Sequence, residues 1–171
     1  NQSANGSFVG RTDNTHWYLT VPIPMNTQNE TYDGPLHVHV YAQDNVSHTL
    51  NTYPTTDASK SIDNTAPTVT ISYNTTTLYF NHAPSILIYA NFTESGSGVN
   101  PDSIALHLKT PDITTNVTMT RQDPLHYTYL WTIPNATDDG QLTVQVYAED
   151  NATNTLDPDP TTGAPKYIDT T

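Results

Sequence analysis

The clearest pattern in the chain is alternation. From Gln141 to Glu149, Leu142, Val144, Val146 and Ala148 fall on one side of an extended chain and Thr143, Gln145 and Tyr147 on the other, the period of two that marks a half-buried strand. Ser85 to Thr93 repeats it with Ile86, Ile88, Ala90 and Phe92, Ser103 to Lys109 with Ile104, Leu106 and Leu108, and Leu125 to Ile133 with Tyr127, Tyr129 and Trp131. Thr68 to Tyr73, Ile113 to Thr120 and Pro165 to Asp169 complete a set of seven predicted strands with turn residues between them. No segment carries a helical period, and faces of this kind are buried by packing two antiparallel sheets together. The expected fold is all-β, an antiparallel β-sandwich.

The pattern occurs twice. Shifted by 106 residues, 29–65 (NETYDGPLHVHVYAQDNVSHTLNTYPTTDASKSIDNT) aligns without a gap on 135–171 (NATDDGQLTVQVYAEDNATNTLDPDPTTGAPKYIDTT), with 21 identities in 37 positions, a self-similarity that marks tandem units. Asp63-Asn64-Thr65 thereby matches Asp169-Thr170-Thr171, and one whole unit is expected over 66–171. Ala66-Pro67 opens it, the proline holding the chain extended into the first strand. Residues 1–65 hold only later strands, expected at Thr15 to Val21, Leu36 to Ala42 and Lys60 to Asp63, with a short one near Ser7 to Gly10. Such a partial unit leaves strand edges and an apolar face open. The preceding chain of a longer repeat polypeptide, or strands of a neighbouring subunit, is expected to complete it.

Three stretches carry a resemblance. SIDNTAPTVTI at 61–71, TESGSGVNPDSI at 93–104 and VYAEDNATN at 146–154 resemble the joint, the middle loop and the penultimate strand of tandem immunoglobulin-like repeats in bacterial and archaeal cell-surface proteins. The resemblance covers 66–171 and the last half of a preceding copy. It implies tandem immunoglobulin-like sandwiches, the first incomplete, joined at Asp63, Asn64, Thr65, Ala66 and Pro67. It also implies an extracellular, cell-surface location, with copies of the chain or adjacent repeats as partners in an extended assembly. Such repeats serve as spacers, stalks, surface-layer units and enzyme appendages, so fold alone does not choose among these roles.

Charge narrows the partners. Lys+Arg 5 against Asp+Glu 17 gives a formal net charge of -12, which repels nucleic acid and anionic lipid alike. No apolar run approaches the roughly 18 residues of a membrane span. The absence of cysteine excludes disulfides, thiolate metal sites and a cysteine nucleophile. Charged residues are only 13% of the chain, against about 25% in an ordinary domain, so its polarity comes from Asn, Thr and Ser. Asn-x-Ser/Thr occurs at Asn1, Asn5, Asn29, Asn45, Asn74, Asn91, Asn116, Asn135 and Asn151, where chance gives about four such acceptors for N-linked glycans. Asn29 and Asn45 recur as Asn135 and Asn151 although their neighbours have changed. Strand phase turns Asn91 and Asn116 outward, where a sugar is tolerated. The resemblance implies an archaeal envelope, whose surface-layer and filament proteins combine sequons, acidity and absent cysteine.

Other chemistry is sparse. His37 and His39 share a strand face at a metal-binding spacing, but their counterparts are Thr143 and Gln145. Glu94, Asp102 and Asp150 form a candidate Ca²⁺ site of carboxylates near the SGSG loop, weighed against solvated turn acids and Asx-turns. Tyr18, Tyr41, Tyr89 and Tyr147 are candidate sugar-stacking rings, or cross-strand partners. Nothing marks a carboxylate pair for glycoside hydrolysis, a nucleophile elbow or a phosphate loop, so no enzyme is expected. The functional expectation is a structural subunit or repeat segment of a glycosylated filament, stalk or surface layer. The alternative is an adhesin or carbohydrate-binding module of a secreted protein.

Overall fold

The computed structural model describes residues 10–11, 17–18, 20, 33–39, 45–48, 60–81, 85–134, 138–157 and 159–169. Of the expected positions, Asn1, Asn5, Asn29, Asn135, Tyr41, residues 40–42 of the strand expected at Leu36 to Ala42, and parts of those expected at Ser7 to Gly10 and Thr15 to Val21 lie outside the described residues; 37–39 are described but carry no strand. The chain divides into two compact units, 1–30 and 31–171. Among the described residues no helix is long and apolar enough to cross a membrane.

The first unit contains a hairpin, β1 (Gly10–Arg11) antiparallel to β2 (Trp17–Tyr18). The second begins with another, β3 (Gly34–Leu36) antiparallel to β4 (Lys60–Ile62). Two larger sheets follow. One runs in the order β10 (Thr120–Arg121), β11 (His126–Thr132), β7 (Ser85–Thr93) and β5 (Thr68–Tyr73). The other runs β6 (Tyr79–Phe80), β14 (Lys166–Ile168), β12 (Gly140–Tyr147), β8 (Ala105–Lys109) and β9 (Thr114–Val117), with β13 (Thr161–Thr162) also on β12. All pairings are antiparallel except β6 with β14. The chain is therefore all-β, as expected, and each of the seven segments expected over 66–171 contains a strand. The two-residue strands β6 and β13 were not anticipated, being too short to show a period.

Alternation sets the core. On β7, Ile86, Ile88, Ala90 and Phe92 are buried while the residues between them are not, and on β12 Leu142, Val144 and Val146 behave alike. These side chains form one apolar cluster with Leu106, Leu108, Trp131 and Ile133. Close to 0.8 kcal/mol per buried methylene, this burial is the main favourable contribution to folding. Phe92 and Tyr127 meet edge to face at 5.6 Å between ring centroids, the arrangement their quadrupoles prefer. Lys166 is buried as well. Its ammonium donates to the carbonyls of Thr77 at 2.7 Å and Thr75 at 3.2 Å and lies 4.9 Å from the centre of the Tyr73 ring, which offsets the cost of removing the charge from water.

The sequence repeat has a counterpart in strand register. Gly34 faces Ile62, Pro35 faces Ser61 and Leu36 faces Lys60; 106 residues on, Gly140 faces Ile168, Gln141 faces Tyr167 and Leu142 faces Lys166. Ser47 and Thr153, also 106 apart, share positive φ values of 72° and 70°. The first hairpin has its own match at an offset of 110. Gly10–Tyr18 and Arg11–Trp17 pair as Thr120–Thr128 and Arg121–Tyr127 do. Among the described residues, the two hairpins before residue 66 thus match pairs from the later half of 66–171, β10 with β11 and β12 with β14. No alignment at the 106-residue shift reveals the first of these matches, because four extra residues intervene.

Candidate functional site

The described residues that converge most closely on one place are those of the expected joint and the loop it meets. β4 ends at Ile62 and β5 begins at Thr68, and the five residues between them are held from both sides. On the side of β3, Asp33 accepts from the Asn64 backbone N–H at 2.6 Å and from the Thr65 hydroxyl. On the other side, Asp63 accepts from the Ser97 N–H at 2.5 Å with one oxygen and from the Thr65 N–H at 3.2 Å with the other. The Asp63 carbonyl accepts from the Asn154 side-chain amide at 3.1 Å, and the carbonyl of buried Pro67 accepts from the Asp157 N–H at 3.3 Å. A flexible linker would leave these groups to water.

Glycine makes this approach possible. A Cβ on Gly96 would overlap the Asp63 carboxyl group itself, so the SGSG loop fits around Asp63 only because that position carries no side chain. Gly98 supplies a φ of +85°, where other residues are strained. Pro101 then starts a short 3-10 turn, Pro101–Ser103, whose first free N–H groups are met by the Asn100 carboxamide accepting from Asp102 N–H at 3.1 Å.

Asp150 sits beneath the loop with no exposed surface. Its carboxylate accepts from the Ala152 and Asn154 N–H groups at 2.8 and 2.9 Å and from the Asn154 amide at 2.7 Å, so the Asx-turn weighed from the sequence is present and satisfies the buried charge. Asn154, which contacts both Asp150 and the Asp63 carbonyl, had no role assigned from the sequence. Its signal was available in the DNATN stretch, where a side-chain amide four residues after an aspartate can close such a turn.

The structure brings Glu94 and Asp150 together with Asp63, ligating oxygens of all three lying within 4.8 Å of one another. Among the described residues this is the one such group of three. Asp102 is exposed on the 3-10 turn and lies outside it. Glu94 accepts from Gly96 N–H at 2.5 Å with one oxygen, while its second oxygen is buried without a hydrogen-bond partner. These are hard oxygen donors of the kind Ca²⁺ takes. His37 and His39 are exposed and join no such group among the described residues.

The described glycan acceptors differ in setting. Asn45, Asn74, Asn116 and Asn151 are exposed and Asn91 is half-buried on β7 between Thr70 and His126. Asn74 uses its carbonyl oxygen, accepting from Leu87 N–H at 3.2 Å, which leaves its nitrogen for a sugar. Asn151 does the reverse. Its side-chain nitrogen donates to the Ser97 carbonyl at 2.9 Å and the Gly98 carbonyl at 3.0 Å, bracing the same loop. Of the tyrosines, Tyr18 and Tyr147 are exposed and Tyr89 is half-buried; the Tyr147 ring lies 6.3 Å from His107 on neighbouring β8.

Comparison with models of known protein families and with curated proteins gives no match to this chain. Function is therefore argued from these residues.

Desolvation pushes the Asp63 carboxyl upward, but hydrogen bonds from the Ser97 side chain and backbone and from Thr65 outweigh it and hold the group below its ordinary 3.8. A lowered folded value means that the stabilisation is whole above pH 3.8 and is lost as pH falls through the folded value. Asp63→Ala is expected to cost about 1–2 kcal/mol at pH 7 through its lost charge-assisted hydrogen bonds. It should also flatten the acid limb of the stability curve, measured by urea unfolding at pH 7 and pH 3. A variant as stable and as acid-sensitive as the parent would contradict the assignment.

Proposed function

We propose that this chain is a structural segment of an extracellular, N-glycosylated filament, stalk or surface layer, built from immunoglobulin-like sandwiches joined end to end. The observation that carries the reading is the Asp63 joint. A segment whose carboxylate, carbonyls and N–H groups are bonded to Asp33 before it and to Ser97, Asn154 and Asp157 after it transmits force and fixes orientation, which a spacer or layer protein needs and a diffusing binding module does not. Two sheets sharing one apolar core support the sandwich, and the matching registers of β3–β4 and β12–β14 support the repeat. The Asn-rich, charge-poor surface supports glycans as the source of hydration. Catalysis forms no part of this reading.

Calcium fits the same proposal. A Ca²⁺ held by Asp63, Glu94 and Asp150 would offset two of their three like charges and tie the joint to the loop. At 100 times its dissociation constant such an ion adds about 2.7 kcal/mol, roughly 5 to 10 °C in Tm for a chain of this size. Scanning calorimetry in CaCl2 against chelator should show that shift in the parent and lose it in Glu94→Gln. An identical Tm in both buffers would remove calcium from the account.

Glycopeptide mass spectrometry of the native protein tests the wider reading. Sugar is expected on Asn45, Asn74 and Asn116, whereas Asn151 should be bare or sparsely occupied, because a glycosylated amide keeps one N–H where two carbonyls are now served. All nine acceptors bare would overturn the proposal of a glycosylated surface protein.

A further inference from the structure

We infer that the groove between the loop after β5 and the end of β14 is a saccharide site, and that its occupant is the glycan of Asn74, folded back onto the protein. The groove holds about 570 Å³, within the roughly 300–1,000 Å³ of small-molecule sites. Asn74, Thr77, Tyr79, Asn81, Ser85 and Asp169 are among its lining residues.

The lining is held by bonds already formed. The Asn74 backbone N–H donates to the Leu87 carbonyl at 3.1 Å, and its side-chain carbonyl accepts from the Leu87 N–H at 3.2 Å. The loop that follows is fixed by the Lys166 ammonium, which donates to the carbonyls of Thr75 and Thr77, and by the Thr75 hydroxyl, which accepts from the Thr77 N–H at 3.1 Å. β6 is tied to β14 in turn, the Leu78 carbonyl accepting from the Tyr167 N–H at 2.9 Å and the Phe80 carbonyl from the Asp169 N–H at 2.7 Å. A site ordered before it is filled loses little entropy on filling.

The chemistry of the lining selects the ligand. Tyr79 is 58% exposed although its ring stacks on that of Tyr167 at 5.5 Å between centroids. A ring so held and so open is a platform for the C–H face of a pyranose. The hydroxyls of Thr77 and Ser85 and the Asn81 amide offer donors and acceptors to sugar hydroxyls. The Asp169 carboxylate, in a chain of net charge -12, disfavours an anionic sugar, so the unit taken is a neutral hexose or N-acetylhexosamine. Asn74 belongs to the same lining, and its side-chain nitrogen is the atom left for the sugar bond. A glycan attached there meets the groove as a tethered ligand, at the high effective concentration of an intramolecular contact. This inference rests on the reading of a glycosylated chain and adds to it a place where the sugar is ordered and Tyr79 is covered.

The test is tyrosine nitration by tetranitromethane in the native glycosylated chain, read site by site by mass spectrometry beside Thr76→Ala and Thr76→Ser made in the same host. Thr76 is exposed and completes the Asn74 acceptor without lining the groove; alanine removes the acceptor and serine keeps it. We expect Tyr79 to react several-fold faster in Thr76→Ala than in the parent and at the parental rate in Thr76→Ser, with exposed Tyr147 unchanged throughout. Equal Tyr79 rates in parent and Thr76→Ala, with sugar present on the parent's Asn74, would overturn the inference and leave the glycoprotein reading standing. A bare Asn74 beside occupied Asn45 or Asn116 would do the same. So would a matching rise at Tyr147, which reports a change of fold and not of cover. All nine acceptors bare would overturn both.

Discussion

The joint depends on one contact, the Asp63 carboxylate against the backbone of the SGSG loop. Its N–H donor, Ser97, can reach it because Gly96 has no side chain, and the loop is held in turn by Asn151 and by buried Asp150. Asp33 binds the next two residues from the opposite side. Polar groups therefore do at the joint what apolar side chains do within the sheets. Hydrogen bonds to a charged acceptor are directional as well as favourable, so residues 63–67 are fixed in direction and not merely in position.

Much of this was legible in the sequence, and the reasons differ by element. β5 and β7 were found at their full lengths because six and nine residues of alternation leave no other periodicity. β12 was displaced by a residue or two at its ends, since Gly140 and Ala148 say little about where pairing starts and stops. The edge strands β6 and β13 were hidden, because two residues define no period and β6 is created by its neighbour β14. Glu94 and Asp150 were expected together with Asp102 as carboxylates near the SGSG loop, and Asp102 does not join them. Asp63, the third member of the group, was assigned to the joint and not to the Ca²⁺ site, because its approach depends on the path of β4 into β5, which no local pattern encodes. The same holds for Asn151. Its sequon is plain in the sequence, but the two carbonyls that occupy its nitrogen are about fifty residues away along the chain.

The duplicated registers give the molecule its most economical description. One backbone plan is used twice, with Lys166 enclosed in the second use and Lys60 exposed in the first. Among the described residues, Lys166 has the carbonyls of Thr75 and Thr77 over its ammonium.

The central claim is that the joint is ordered as firmly as the sheets it connects. Backbone ¹⁵N relaxation at neutral pH measures this directly on the amides of Asn64, Thr65, Ala66, Gly96 and Ser97. The account predicts order parameters near about 0.85, equal to those of β7 and β12, whereas values below about 0.6 would describe a free linker and contradict it.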